Sequence, residues 1–149
     1  FKRPSLKPTL TPVSENSPVG RYLIAERKLT LATLHAFQIY EQGQEIVFPF
    51  YRDGQLLQLK WLQLQRKDNK KIIRVEAHCE PSLFGWDTLN VSTYPREVVI
   101  TEGEMDAMSL FHYGFPALSV PFGGGSGAKQ QWIEQEFERL AIFDKIYVC

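Results

Sequence analysis

Apolar and polar positions along the chain divide it into three stretches of different period. Residues 1–17 hold Pro4, Pro8 and Pro12 among Ser, Thr and Lys, with few apolar side chains, which predicts a flexible Pro-rich linker. Ser17-Pro18 pairs a capping residue with a first-turn proline and starts one helical turn through Tyr22 and Leu23. Thr30 caps a second short helix over 31–37, in which Leu31, Leu34 and His35 share a face and His35 is expected at the edge of the core. Strand patterning follows at 45–51 and 56–65, joined by the turn Arg52-Asp53-Gly54, with a charged turn at 66–71 and a third strand at 72–78. These three strands form an antiparallel meander. A break in the Leu/Gln alternation around Lys60 predicts a twist or bulge.

From Glu97 the pattern changes. Val98-Val99-Ile100 is a short apolar run of the kind buried on both faces of a parallel sheet, and a helix over 105–113 follows, ended by Gly114. A strand at 116–120, a glycine-rich turn at 121–127, a helix at 129–143 carrying Trp132 and Phe137 into the core, and a strand at 146–148 complete a strand–helix alternation. The expected fold is α/β: a small N-terminal α+β subdomain with antiparallel strands, residues 18–96, packed on a Rossmann-like parallel-sheet subdomain, residues 97–149. Ligands on parallel sheets bind at the carboxyl ends of the strands, which directs attention to Thr101–Asp106 and to the glycine turn.

Composition sets the outer bounds. With 149 residues, 44% hydrophobic and 23% charged, the chain has the makeup of a folded domain burying roughly two thirds of its extended surface. No apolar run approaches the roughly 20 residues of a membrane span, and the N-terminus lacks the apolar centre of a signal peptide, so the expected location is the cytoplasm, with no membrane partner. Cys79 and Cys149 are too few for a disulfide framework. His78 beside Cys79 could be half of a metal site, but neighbours on a strand point to opposite faces; a buried thiol is the simpler alternative.

Charge adds something that the total hides. The 17 basic and 17 acidic residues cancel, yet residues 1–74 carry 13 bases against six acids and residues 75–149 carry four against eleven. Arg66, Lys67, Lys70, Lys71 and Arg74 make a basic patch next to Lys60 and Trp61, suited either to nucleic-acid phosphates or simply to solubility.

The acidic half concentrates its chemistry in Thr101-Glu102-Gly103-Glu104-Met105-Asp106, where a buried strand hands over to a helix. Thr101 and Glu104 have capping-box spacing, and acids at a helix N-terminus complement its dipole, which accounts for Glu104. Glu102 and Asp106, four apart, repel unless a cation or base sits between them, and a pair of carboxylates there is a plausible magnesium site. Gly123-Gly124-Gly125-Ser126-Gly127 lacks the Lys-Ser/Thr of a Walker loop and is expected to be a tight turn, with anion contact from its amides as a minor extra.

The stretch Val98-Val99-Ile100-Thr101-Glu102-Gly103-Glu104-Met105-Asp106-Ala107 resembles the first signature of the TOPRIM domain of primases, topoisomerases and some nucleases. Together with Tyr22-Leu23, Leu29-Thr30, the Phe48-Pro49 hairpin ending in Asp53-Gly54, and Leu83-Phe84-Gly85, residues 18–149 look like the primase half of phage-type, Twinkle-like primase–helicases. That resemblance implies an RNA-polymerising enzyme that uses single-stranded DNA template, nucleoside triphosphates and Mg2+ or Mn2+, joined to a helicase domain of the same parent chain. It implies Glu102 as general base or metal carboxylate, Asp106 as a metal ligand, and Lys60 as the basic residue facing nucleotide or template phosphates. The family's next acids, an Asp-x-Asp pair, would follow the strand ending at Cys149, so the expectation is a fragment that makes no primers alone and binds metal weakly. The alternative is a non-priming module that binds single-stranded DNA or supports a replicative helicase. A TOPRIM nuclease would share the acids but leave the Phe-Pro hairpin unexplained.

Overall fold

The structure, a computed structural model, describes residues 1–93, 96–125 and 127–149. Its first sheet has five antiparallel strands in sequential order: β1 (Thr11–Pro12), β2 (Tyr40–Gln42), β3 (Glu45–Arg52), β4 (Gln55–Gln63) and β5 (Ile73–Val75). The expected meander is β3–β4–β5, with β1 and β2 added on the β3 side and the third strand shorter than 72–78. The β3–β4 turn follows from its sequence. Asp53 and Gly54 take positive φ of 52° and 74°, the mirror-image turn that matches strand twist, and the Asp87 carboxylate accepts both their backbone N–H groups at 2.7 and 3.0 Å. The predicted irregularity lies at Leu57: Tyr51 pairs with Leu56 and Phe50 with Gln58, so one residue of β4 bulges and the alternation shifts phase before Lys60.

The segment 1–17 is laid against this sheet instead of standing apart as a linker. Thr11–Pro12 pairs with β2, Lys2 bridges to Cys79, and Leu10 and Val13 are buried. Leu10 and Val13 reach a core built by the rest of the chain while Phe1 and Leu6 stay exposed, a division that composition does not display. Helix α1 (Pro18–Gly20) starts as expected, with the Ser17 side chain accepting from Gly20 N, and runs on into wider π-type turns over Arg21–Glu26. Helix α2 (Leu31–Ala36) has Thr30 as its cap. Its buried face is Thr33 and Leu34, with Phe37 just beyond; His35 is exposed, one position off the inward stripe.

The second sheet is parallel, in the order β7 (Ala117–Ser119), β6 (Glu97–Thr101), β8 (Lys145–Val148), with α3 (Glu104–His112) crossing from β6 to β7 and α4 (Gln131–Leu140) from β7 to β8. Gly114, at φ 89°, ends α3 as predicted. Glu136 is the buried residue of α4, and Trp132 packs on the second sheet's core, whereas Phe137 is 68% exposed and does not belong to it. Of the three buried clusters among the described residues, one joins the two sheets. It takes Val19, Leu34, Ile46 and Phe48 from the first half and Ala107, Met108 and Ala117 from the second, with Phe84 between them. Phe84 stacks on Phe37 at 5.0 Å and meets Phe48 and Phe50 edge-on, while its backbone exchanges two hydrogen bonds with Ser119. Next to it, Gly85 has φ 108°, and a Cβ there would sit 3.1 Å from Ala117 O, so the Leu83-Phe84-Gly85 motif is where the chain passes from one sheet to the other.

A buried polar cluster adds a second tie. Glu136 accepts from Arg52 at 2.9 Å and from the Trp86 indole N–H, and Arg52 also donates to Glu80 at 3.1 Å. Burial pushes the Glu136 carboxyl above its ordinary value, against the pull of Trp86 and Arg52.

Candidate active site

Strand β6 ends at Thr101, whose buried hydroxyl donates to Gly103 O at 2.9 Å and Leu118 O at 3.3 Å. This ties the strand-to-helix corner to β7. Helix α3 then begins with Gly103 as its N-cap and no side-chain cap. The expected Thr101–Glu104 capping box is therefore absent: with Gly103 at the cap, Thr101 lies two residues before the frame the box requires. Glu104 turns inward instead, and Glu102 and Asp106 stay exposed at the carboxyl edge of the sheet and in the first turn of α3. The partial positive charge at the helix start favours both acids there.

The inward turn of Glu104 is explained by Lys60. Its Nζ, on β4, donates to Glu104 Oε1 at 2.6 Å and to Pro121 O at 3.0 Å, and the residue is only 7% exposed. Burial pushes the Glu104 carboxyl up, with the Lys60 ammonium opposing it. Such a pair holds position well but contributes little net stability, because desolvating both charges offsets most of their attraction.

Above this pair lies a cleft of about 320 Å³ between the two sheets. One wall carries Lys60, Lys71 and Arg74 from the basic segment, the other Glu102 and Glu104, and Pro121–Gly123 close one end. The cancelling charges of the two halves thus face each other across one opening. Arg74 is held over the Trp61 ring at 4.1 Å and donates to Glu45 at 3.2 Å. The rest of the basic patch is elsewhere. Arg66, Lys67 and Lys70 are exposed around a tight turn in which Lys67 and Lys70 exchange backbone hydrogen bonds, and they do not line the cleft; neither does Asp106.

The donor set bears on metal binding. Among the described residues no group of three or more His, Cys, Asp or Glu converges, and this includes His78 and Cys79. Two exposed carboxylates on one corner do fit magnesium, which takes one or two protein carboxylates and completes its shell with water and substrate phosphates. Glu102 and Asp106 are the residues that would hold it.

Two features escaped sequence reasoning. The partner of Lys60 stands 44 residues away, with no local signal to join them. The glycine turn also touches the site: a Cβ on Gly124 would lie 2.9 Å from Glu102 Oε1. Ser126 of that turn lies outside the described residues, as do Tyr94 and Pro95 before the expected boundary at 96.

A five-stranded antiparallel sheet joined to a three-stranded parallel sheet is consistent with a primase-core fold. The solved structure that carries this comparison is the E. coli primase catalytic core, matched with a TM-score of 0.64 over 89% of this chain at 16% identity. The chain spans 54% of that structure's length. No family model matches the sequence, and no curated protein matches it. No helix among the described residues is long and apolar enough to cross a membrane.

Proposed function

We propose that this chain is the nucleotide-joining core of a DNA-directed primase of the TOPRIM, phage-like type, working in the cytoplasm as part of a primase–helicase. The supporting observation is the cleft in which Lys60, Lys71 and Arg74 confront Glu102 at the carboxyl edge of a parallel sheet. Primer synthesis needs cations along the phosphates of template and nucleotide, and carboxylates where the 3′-hydroxyl attacks the α-phosphate. Lys71 and Arg74, both exposed, are placed for phosphate oxygens, and the exposed tip cations Arg66, Lys67 and Lys70 extend that surface for template. Lys60 lines the cleft with its ammonium bonded to Glu104 and Pro121 O. Glu102 and Asp106 would hold Mg2+ or Mn2+, which when bound supplies charge stabilisation to the attacking and leaving oxygens.

The alternative, a module that binds single-stranded DNA or supports a helicase without priming, uses the same basic wall and dispenses with the acids. Two measurements on the 149-residue chain separate the readings: Mn2+ binding by electron paramagnetic resonance, and oligodeoxynucleotide binding by fluorescence anisotropy across a salt series. The primase reading expects both, with Mn2+ binding removed by Glu102→Gln. DNA binding without metal favours the alternative, and absence of both refutes the two together.

A further inference from the structure

The glycine turn after β7 has two points of contact with the site. Its first residue, Pro121, accepts from Lys60 Nζ at 3.0 Å, which fixes where the turn begins. Three residues on, an ideal Cβ on Gly124 would stand 2.9 Å from Glu102 Oε1, 3.0 Å from its Cδ and 3.2 Å from Oε2. All three atoms at the end of the carboxylate therefore rest against the turn in space that only a glycine leaves. Gly123 and Gly125, on either side, have φ of 72° and 148° and are needed for backbone reasons; Gly124 has no positive φ, so an alanine there meets no backbone strain. What an alanine would meet is the carboxylate. Gly125 does the same on its own side for the stem of Lys129, whose Cδ lies 2.7 Å from a Cβ built there.

We infer that Gly124 is a positioning residue for Glu102: the turn, anchored through Pro121 on Lys60, sets where that carboxylate presents its oxygens. This inference rests on the metal-carboxylate reading of Glu102 given above. Because the clash falls on the far end of a flexible, exposed side chain, Gly124→Ala moves the carboxylate while leaving the fold intact. That separates it from an ordinary packing defect.

The test measures Mn2+ affinity by electron paramagnetic resonance, and melting temperature, for the 149-residue chain and its G124A, E102D and G124A/E102D variants. G124A is expected to melt within about 2 °C of the parent and to bind Mn2+ about tenfold more weakly, the scale on which residues orienting a metal ligand act. Shortening the side chain by one methylene removes the clash, so G124A on the E102D background is expected to cost less than twofold. Unchanged Mn2+ affinity in G124A, or an equal loss on both backgrounds, would overturn the inference. A parent chain that binds no Mn2+ refutes the metal role of Glu102. In that case an NMR contact between the Gly124 Hα and Glu102 Hγ protons, expected in the parent, decides the placement, and its absence overturns the inference.

Discussion

Substituting Lys60 by methionine probes the centre of the molecule. Methionine keeps most of the apolar stem and removes the ammonium that Glu104 and Pro121 O share. Both side chains of the pair are 8% exposed, so water does not replace the lost partner. A buried charge left alone costs about 3–5 kcal/mol. At about 2–4 °C per kcal/mol for a chain of this size, the melting temperature falls by about 6–20 °C. The Glu104 carboxyl, already pushed up by burial, rises further once the opposing ammonium is gone. Urea unfolding followed by fluorescence of Trp61, Trp86 and Trp132 gives the free energy directly. The double variant Lys60→Met/Glu104→Leu leaves no charge to desolvate and is expected to regain most of the loss. A single variant within about 0.5 kcal/mol of the parent, or a double variant no better than the single, would refute the reasoning.

Phe84→Ala removes the fully buried ring that joins the two sheets, and a loss of about 3–5 kcal/mol is expected in urea unfolding; a loss under about 1 kcal/mol would mean the sheets do not depend on it. Glu136 makes stability depend on pH in a set direction. Burial raises its carboxyl above the ordinary value in the folded chain, so its contribution is fully present below the unfolded value and is lost as pH rises through the folded value. Glu136→Gln is therefore expected to lose less stability than the parent as pH rises through the folded value, and the opposite ordering of urea midpoints would contradict the assignment. Arg74→Ala is expected to weaken oligodeoxynucleotide binding and to lower the slope of log affinity against log salt by about 0.7, one phosphate contact on a single strand; an unchanged slope would place Arg74 off the DNA path.

Local signals in the chain determined most of its elements. Ser17-Pro18, Thr30, Asp53-Gly54 and Gly114 act through their own backbone angles and nearest hydrogen bonds, and they begin or end elements where the sequence places them. The parallel sheet was legible for a similar reason, since strand and helix alternate with turn residues between them. The acids at the end of β6 were legible as a candidate site because Glu102 and Asp106 lie within five residues on one corner. Tertiary structure decided the rest. Whether residues 1–17 pack depended on a sheet edge and core built from residues far along the chain. His35 and Phe137 face solvent because the final orientation of their helices, and not the apolar period alone, selects the buried stripe. Glu104 became the partner of Lys60 instead of half of a capping box, because the helix frame starts at Gly103 and a buried cation waits 44 residues earlier in the chain. The basic patch, one run in sequence, divides into Lys71 and Arg74 at the cleft and Arg66, Lys67 and Lys70 on the hairpin tip. Turn geometry settles that division, since residues on one side of a tight turn follow the strand into the cleft and those around its tip stay in solvent.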